Sequence, residues 1–457
     1  MTRSEAQRRN PTARASASPL GEHVIRRAAL ASLLVMLIGG AASLVHPRDP
    51  TQPAGLYASD PIHLWNRIHR HFHVRVTSDG HEYGFDTLDP LLWRETRYLL
   101  DGPSHARAVA LLDEFLASHG ERLIEDPLKR AVFQRDLWAI FDWLANESEI
   151  LPDRRRVLMP QLARVIRRLA LTRAQIDRLP DVYQSAADSH AFADRFDPAH
   201  PERPFLPPDL FSSRSPWVTI GGFYPIAPQH ASELSRSGFV VLWNLPGGPS
   251  ATTAYLSRLW DFPQPYVVDE TFSVGRDGER RVKLNPTLPP VPEGTQVAFV
   301  RLMLVIDDAG RIVPTKITES LQLRIFGKPD VFREFSMSRA GLFAAAARGL
   351  VAAGLDDVGF ITFSAKGMDE FELREAHGAA PRPGKVLASC PMCHQSEFEP
   401  GILSVRSVRQ LLRPTSSVDS SHERWARWFT QPIEAADFKT RRYDWGLLQG
   451  LWQSNPR

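Results

Sequence analysis

Cysteine is almost absent from this chain: two among 457 residues. That scarcity excludes a disulfide-stapled fold, a four-cysteine zinc site and an all-cysteine iron–sulfur cluster. Charge of one sign is equally scarce, with 55 lysines and arginines against 52 aspartates and glutamates. The excess sits in the first 27 residues, where Arg3, Arg8, Arg9, Arg14, Arg26 and Arg27 face only Glu5 and Glu22. The remainder is near neutral, so no basic face for nucleic acid is expected. Long apolar runs are missing but for one, which excludes a multi-span membrane protein. There is no internal repeat, and Gly221-Gly222 and Gly247-Gly248 are turn glycines that begin no phosphate-binding pattern. No Ser-His-Asp or Cys-His arrangement follows from spacing. What is present, 43% hydrophobic and 23% charged residues, is globular composition, with a length suited to two or three domains of about 100–200 residues each.

The one apolar run is Ala28–Val45, 18 residues without a charge. That is the lower limit for a membrane-spanning helix, and the arginines before it predict that its N-terminus stays in the cytoplasm. Two readings follow: an uncleaved anchor, or a signal peptide cut after Ala42. Both place the rest of the chain on the periplasmic side of a bacterial inner membrane. A buried core helix is the third reading.

His46–Ser59 reads as a short linker. A helix-rich region follows, with Ala108, Leu111, Leu112 and Phe115 at helical spacing. A helix beginning at Asp126-Pro127 carries Leu137, Trp138, Phe141 and Leu144 on one face. Another runs through Leu162, Val165, Ile166 and Leu169. Asp197–Pro228 holds eight prolines and reads as a linker or an extended wrapping arm. Beyond it the period changes. Gly238–Leu245 and Gln296–Ile306 are strand candidates. Asp307-Asp308-Ala309-Gly310 is a turn, and Ile317, Leu321, Leu323 and Ile325 then alternate with polar neighbours. An antiparallel hairpin is predicted there. Ser338–Ala353 is predicted as an alanine-rich helix ended by Gly354, and Val358–Phe363 as one more strand. His377–Lys385 is a second linker. The expected fold class is α+β: an N-terminal helical bundle, a central α+β region on an antiparallel sheet, and a short helical C-terminal tail. The expected boundaries are 1–45 for the basic segment with its signal or anchor, 61–190 for the helical domain, 217–375 for the α+β domain and 386–457 for the tail.

Both cysteines lie in Cys390-Pro391-Met392-Cys393-His394. This is the C-x-x-C-H pattern of covalent c-type haem attachment. Two intervening residues let both thiols reach one edge of a porphyrin and form thioethers with its vinyl groups, and the adjacent imidazole then meets the iron. An exported protein is where such attachment occurs. The alternatives are a Cys390–Cys393 disulfide, which has no need of His394, a thioredoxin-type pair, which expects a helix start after a strand rather than a Pro/Gly linker, and a zinc site, for which no further ligands at recognisable spacing are obvious.

These residues resemble those of the c-type cytochromes, over about 70 residues. The resemblance implies that Cys390 and Cys393 tether one covalent haem c, that His394 is an axial iron ligand, and that the protein passes single electrons to or from a redox partner. Met392 is the last methionine, so the usual downstream methionine ligand is missing. Taken whole, the chain also resembles large exported bacterial proteins that end in a single C-x-x-C-H.

His422 is the only histidine after the motif. Ser420 and Glu423 form a capping box, placing His422 in the first turn of a helix, where the dipole disfavours its protonation. It is the candidate second iron ligand; Met337, Met368, His377 and His230 are upstream alternatives, and a five-coordinate iron is another. Phe398, Trp425, Trp428, Trp445 and Trp452 are candidate aromatic neighbours of the ring. Upstream, His69 and His73 stand at i,i+4, a two-ligand metal spacing, with no acidic third ligand placed beside them; the competing reading is an amphipathic helix running into a hairpin at Ser78-Asp79-Gly80. Three functions are therefore expected in turn: an electron-transfer mono-haem protein, a haem enzyme with an open iron position, or an exported binding protein with a disulfide and no haem.

Overall fold

The computed structural model describes residues 55–76, 82–87, 98–146, 151–220, 237–264, 266–268, 282–344, 349–354 and 432–454. The class is α+β, helices combined with an antiparallel sheet. Residues 54–457 form one compact unit. The apolar segment 28–45 lies outside the described residues, and among those described no helix is long and apolar enough to cross a membrane.

The described elements begin with α1 (Leu64–His73) and the two-residue strands β1 (Arg75–Val76) and β2 (Glu82–Tyr83). Next come α2 (Gly102–Ala117), α3 (Pro127–Asn146), α4 (Pro152–Arg168), α5 (Arg173–Ile176) and α6 (Val182–Asp188). Proline starts α2 and α4 in the first turn, where its missing N–H costs nothing. Helix α3 is the centre of the molecule. Every residue from Ala131 to Ala145 is buried, as expected of a helix covered all round. Trp138, Phe141 and Leu144 are fully enclosed, each such side chain contributing roughly 1.5–3 kcal/mol of apolar burial.

Among the described residues the main sheet has six strands in the order β10-β9-β8-β7-β4-β3, all pairs antiparallel. They are β3 (Val218–Ile220), β4 (Ser237–Asn244), β7 (Gln296–Ile306), β8 (Ile312–Ile325), β9 (Val331–Met337) and β10 (Leu350–Ala352). Helix α7 (Gly248–Trp260) and the small hairpin β5 (Tyr266–Val268)–β6 (Val282–Leu284) are inserted between β4 and β7. The alternation read from the sequence holds: Ile317, Leu321, Leu323 and Ile325 are buried together with Val240, Leu242, Ala298, Val300, Phe335 and Met337. That face is covered by Val182, Tyr183 and Ala186 of α6 and by the proline-rich arm, through Phe205, Leu206, Leu210 and Trp217. On β4 the neighbouring position, Trp243, packs instead with Tyr255, Leu256 and Leu259 of α7. The far end of the β7–β8 hairpin, Leu304, Ile306 and Ile312, enters the helical core formed by α1 to α4. Helical and sheet segments thus share their cores.

The alanine-rich run does not form one helix. A short α8 (Arg339–Phe343), capped by the Ser338 hydroxyl on Gly341 N–H, is all the helix described there, and Leu350–Ala352 pair with Phe335–Met337 as the edge strand. Leu350 is buried, and Gly349 accepts a 2.9 Å bond from Ser338 N–H where an added Cβ would stand 2.9 Å from Val182. Tertiary pairing and a close backbone approach here override alanine's helix propensity. The strand expected at Val358–Phe363 lies outside the described residues.

The chain returns as α9 (Pro432–Thr440) and α10 (Tyr443–Ser454). Helix α10 packs on α3 and α4: Trp445 meets Trp138 with ring centroids 5.9 Å apart, Trp452 Nε1 donates to Ala163 O at 2.6 Å, and Arg167 donates to Trp452 O at 2.8 Å. Gly310, in the β7–β8 turn, adopts φ +76°, the left-handed conformation that favours glycine.

Candidate functional site

Four residues carried the sequence argument: Cys390, Cys393, His394 and His422. All four lie outside the described residues, as do His230, Met368, His377, Phe398, Trp425 and Trp428. The remaining candidates have clear places. Met337 is fully buried in the apolar sheet core, and Trp445 and Trp452 belong to the helical core.

The described chemistry concentrates instead on α3. Arg135, Asp142 and Asn146 recur at seven and four residues, and so form one stripe of the helix, with Asp136 beside it. Each meets a counter-charge or hydrogen-bond partner from a distant part of the chain. Arg135 Nε donates to Glu319 at 2.6 Å. Glu319 is also reached by Arg301 at 3.1 Å and by the Ser237 hydroxyl. The register of β7 and β8 explains how it gets there: Arg301 faces Ser320 and Leu302 faces Thr318, so Glu319 is the extra residue of a β-bulge. A bulge re-aims one side chain without ending the pairing. Burial pushes the Glu319 carboxyl up, but Arg135, Arg301 and the Ser237 hydroxyl outweigh it and hold the group below the usual carboxylate range.

Arg135 also lies 3.8 Å from Asp136, which joins this cluster to a second one. Asp136 binds the Arg339 guanidinium through both oxygens at 3.0–3.1 Å. Arg339 is itself buried, and its Nη1 donates to the carbonyls of Asp86 and Thr87 at 3.0 Å. The Asp86 carboxylate in turn accepts from the Ser338 hydroxyl and Ala340 N–H, at 2.8 and 2.7 Å. Burial disfavours the Arg339 cation, yet Asp136 leads the neighbours that raise its proton affinity above the ordinary guanidinium value. Tyr57 sits against this pair; its phenol is pushed well above its ordinary range, by burial first and by the Asp136 charge second.

Facing Tyr57 are His69 and His73, the i,i+4 pair of α1. Their rings stack at 5.4 Å, and both side chains are enclosed. His69 Nε2 is bonded to Phe85 O at 2.9 Å, and its ring packs edge-on against Tyr57 at 5.4 Å. Among the described residues no group of three metal-ligating side chains gathers here or elsewhere. The arginines beside the pair also oppose a bound cation. The apolar face of α1, with Trp65, Ile68 and Phe72, explains the spacing.

A third cluster ties α9 and α10 to the same stripe. Lys439, fully enclosed, lies 2.7 Å from Asp142 and 3.0 Å from Asp444, and 5.4 Å over the Trp138 ring. Arg442 and Asn146 complete the shell of Asp444 at 3.2 and 3.0 Å. Burial raises the Asp444 carboxyl, but Lys439 and Arg442 bring it below the usual range.

This network was missed by reading α3 through its apolar face alone. One signal was present: Glu319 occupies an inward position between Ile317 and Leu321, where an apolar residue is expected. Buried pairs of this kind fix which elements meet. Comparison with family models, with curated proteins and with solved structures finds no match.

Proposed function

We propose that this protein is an exported, single-haem c-type protein that passes one electron at a time. The observation that carries the reading is that the chain's only two cysteines stand in Cys390-Pro391-Met392-Cys393-His394. The donor set suits the group: two thiols for two thioethers on one macrocycle edge, and an imidazole for the iron. Bound there, haem c supplies a reversible one-electron change at iron. In this reading Cys390 and Cys393 would fix the ring, His394 would supply a ring nitrogen to the iron, and His422, which the sequence pattern predicts at the start of a helix, would supply a second. A histidine in place of methionine sets a lower potential, because the softer thioether favours the reduced iron. The segment 386–457 carries the cofactor as a C-terminal tail, the N-terminal helices form the bundle to which a redox partner docks, and residues 28–45 anchor or export the whole on the periplasmic side.

The test is a mass measurement on denatured protein from a host with haem-maturation machinery outside the cytoplasm. A mass increase of one haem, abolished as a double attachment by Cys393→Ala, is the expected result; unmodified thiols or a Cys390–Cys393 disulfide sink the reading. The second ligand has its own check. Carbon monoxide should leave the reduced spectrum of the native protein unchanged and shift that of His422→Ala. A native spectrum that already shifts assigns an open iron position, and the enzyme reading then replaces electron transfer.

A further inference from the structure

The buried imidazoles of α1 are used by none of the chemistry above, and their surroundings make them more than packing. A carbonyl only accepts, so His69 donates from Nε2 to Phe85 O, and the tautomer is fixed with Nδ1 bare. That Nδ1 is buried without a hydrogen-bond partner. A second proton must go there, creating a charged N–H that no acceptor meets.

Among the described residues, Tyr57 approaches the pair from the segment before α1, Arg135 and Asp136 from α3, Arg339 from the start of α8, and the Phe85 carbonyl from the 82–87 strap. Asp136 is the nearby anion, but the Arg339 guanidinium already occupies both its oxygens. Adding charge to His69 or His73 therefore sets cations against Arg339 and Arg135. The same Arg339 holds the strap through the Asp86 and Thr87 carbonyls.

We propose that the His69–His73 pair is an acid-sensitive latch that seats α1 and the 82–87 strap on α3 at neutral pH and releases them on acidification. A protein facing the cell exterior would meet such acidification without cytoplasmic buffering; the latch itself is independent of haem. Burial first, and the Arg339 charge next, hold both imidazoles well below their ordinary proton affinity. The sign follows from that depression. The unfolded or released chain takes up protons below the ordinary histidine value of about 6.5, while the seated pair does not. Stability is fully present above that pH and falls as the pH drops beneath it.

The experiment is hydrogen exchange on the full-length protein at pH 7 and pH 5, corrected for the intrinsic chemical rate, and read in peptides spanning 64–76 and 82–87. Exchange should rise roughly 25-fold at pH 5 for each imidazole released, because pH 5 lies about 1.5 units below the ordinary histidine value and each unit of uncompensated protonation is a factor of ten. His69→Gln/His73→Gln keeps a neutral donor near Phe85 O and should abolish the rise. Equal rises in both proteins, or no rise in the native one, overturn the latch. Should the double variant not fold, magnetic resonance of ring-labelled histidine in the native protein decides. Both imidazoles must stay neutral until exchange increases, and a His69 that titrates near pH 6.5 with exchange unchanged overturns the proposal.

Discussion

Asp136→Asn should cost the protein about 3–5 kcal/mol, read as a lowered urea midpoint with little change in slope. The substitution keeps the shape of the side chain and removes only its charge. It leaves Arg339, fully enclosed, without the carboxylate that binds it through both oxygens, and it removes the anion 3.8 Å from Arg135. A cation deprived of its partner in such surroundings bears the whole desolvation cost. Arg339→Met in the Asp136→Asn background should then recover part of the loss, because two neutral groups replace one stranded charge. Arg67→Ala is the internal control. The Arg67–Glu114 pair is short, at 2.7 Å, but both side chains are about two-fifths exposed, and such pairs contribute less than about 1 kcal/mol. If Asp136→Asn were as mild as Arg67→Ala, the charge on α3 would not be what fastens the sheet and strap to the helices.

What could be read beforehand differed between the two halves of the problem, for physical reasons. Periodic burial is local information. The alternation through Ile317, Leu321 and Leu323 and the helical spacing through Trp138 and Phe141 therefore announced β8 and α3. The Asp307–Gly310 turn announced the β7–β8 hairpin. Long-range pairing is not local. Arg339 meets Asp136 203 residues away, and Lys439 meets Asp142 across 297. Nothing in either neighbourhood names the partner. The alanine run after Ser338 shows the converse failure: a strong local preference lost to edge pairing with β9 and to the tight seat of Gly349. The candidate site divides the same way. Cys390-x-x-Cys393-His394 is a contiguous motif and was legible at once, whereas Glu319 among its apolar neighbours was a visible anomaly that spacing alone could not interpret.

Lys439→Met should reverse the pH dependence of stability between pH 7 and about pH 4, besides destabilising by roughly 3–5 kcal/mol at pH 7. In the native protein Asp444 is held below the usual carboxylate range. Its contribution is present above the unfolded value of about 3.9 and is lost as the pH falls through the folded value. Lys439 touches Asp142 and Asp444 at 2.7 and 3.0 Å. Replaced by a thioether of similar length, it leaves two enclosed carboxylates facing each other across an apolar gap beside Trp138. Like charges in that position favour uptake of a shared proton, so the folded affinity rises above the unfolded one and acid stabilises the variant. Urea midpoints at pH 7, 5.5 and 4.5 distinguish the cases: native values flat or falling, variant values climbing. The location of the damage is a second reading, because Lys439 precedes α10, whose Trp445 and Trp452 seal α3 and α4. Exchange should therefore increase first in 432–454. A variant whose midpoint stays flat across this range would mean that the Arg442 charge and the Asn146 hydrogen bond suffice to keep the site ionised, and that α9 and α10 are held by aromatic packing rather than by the buried lysine.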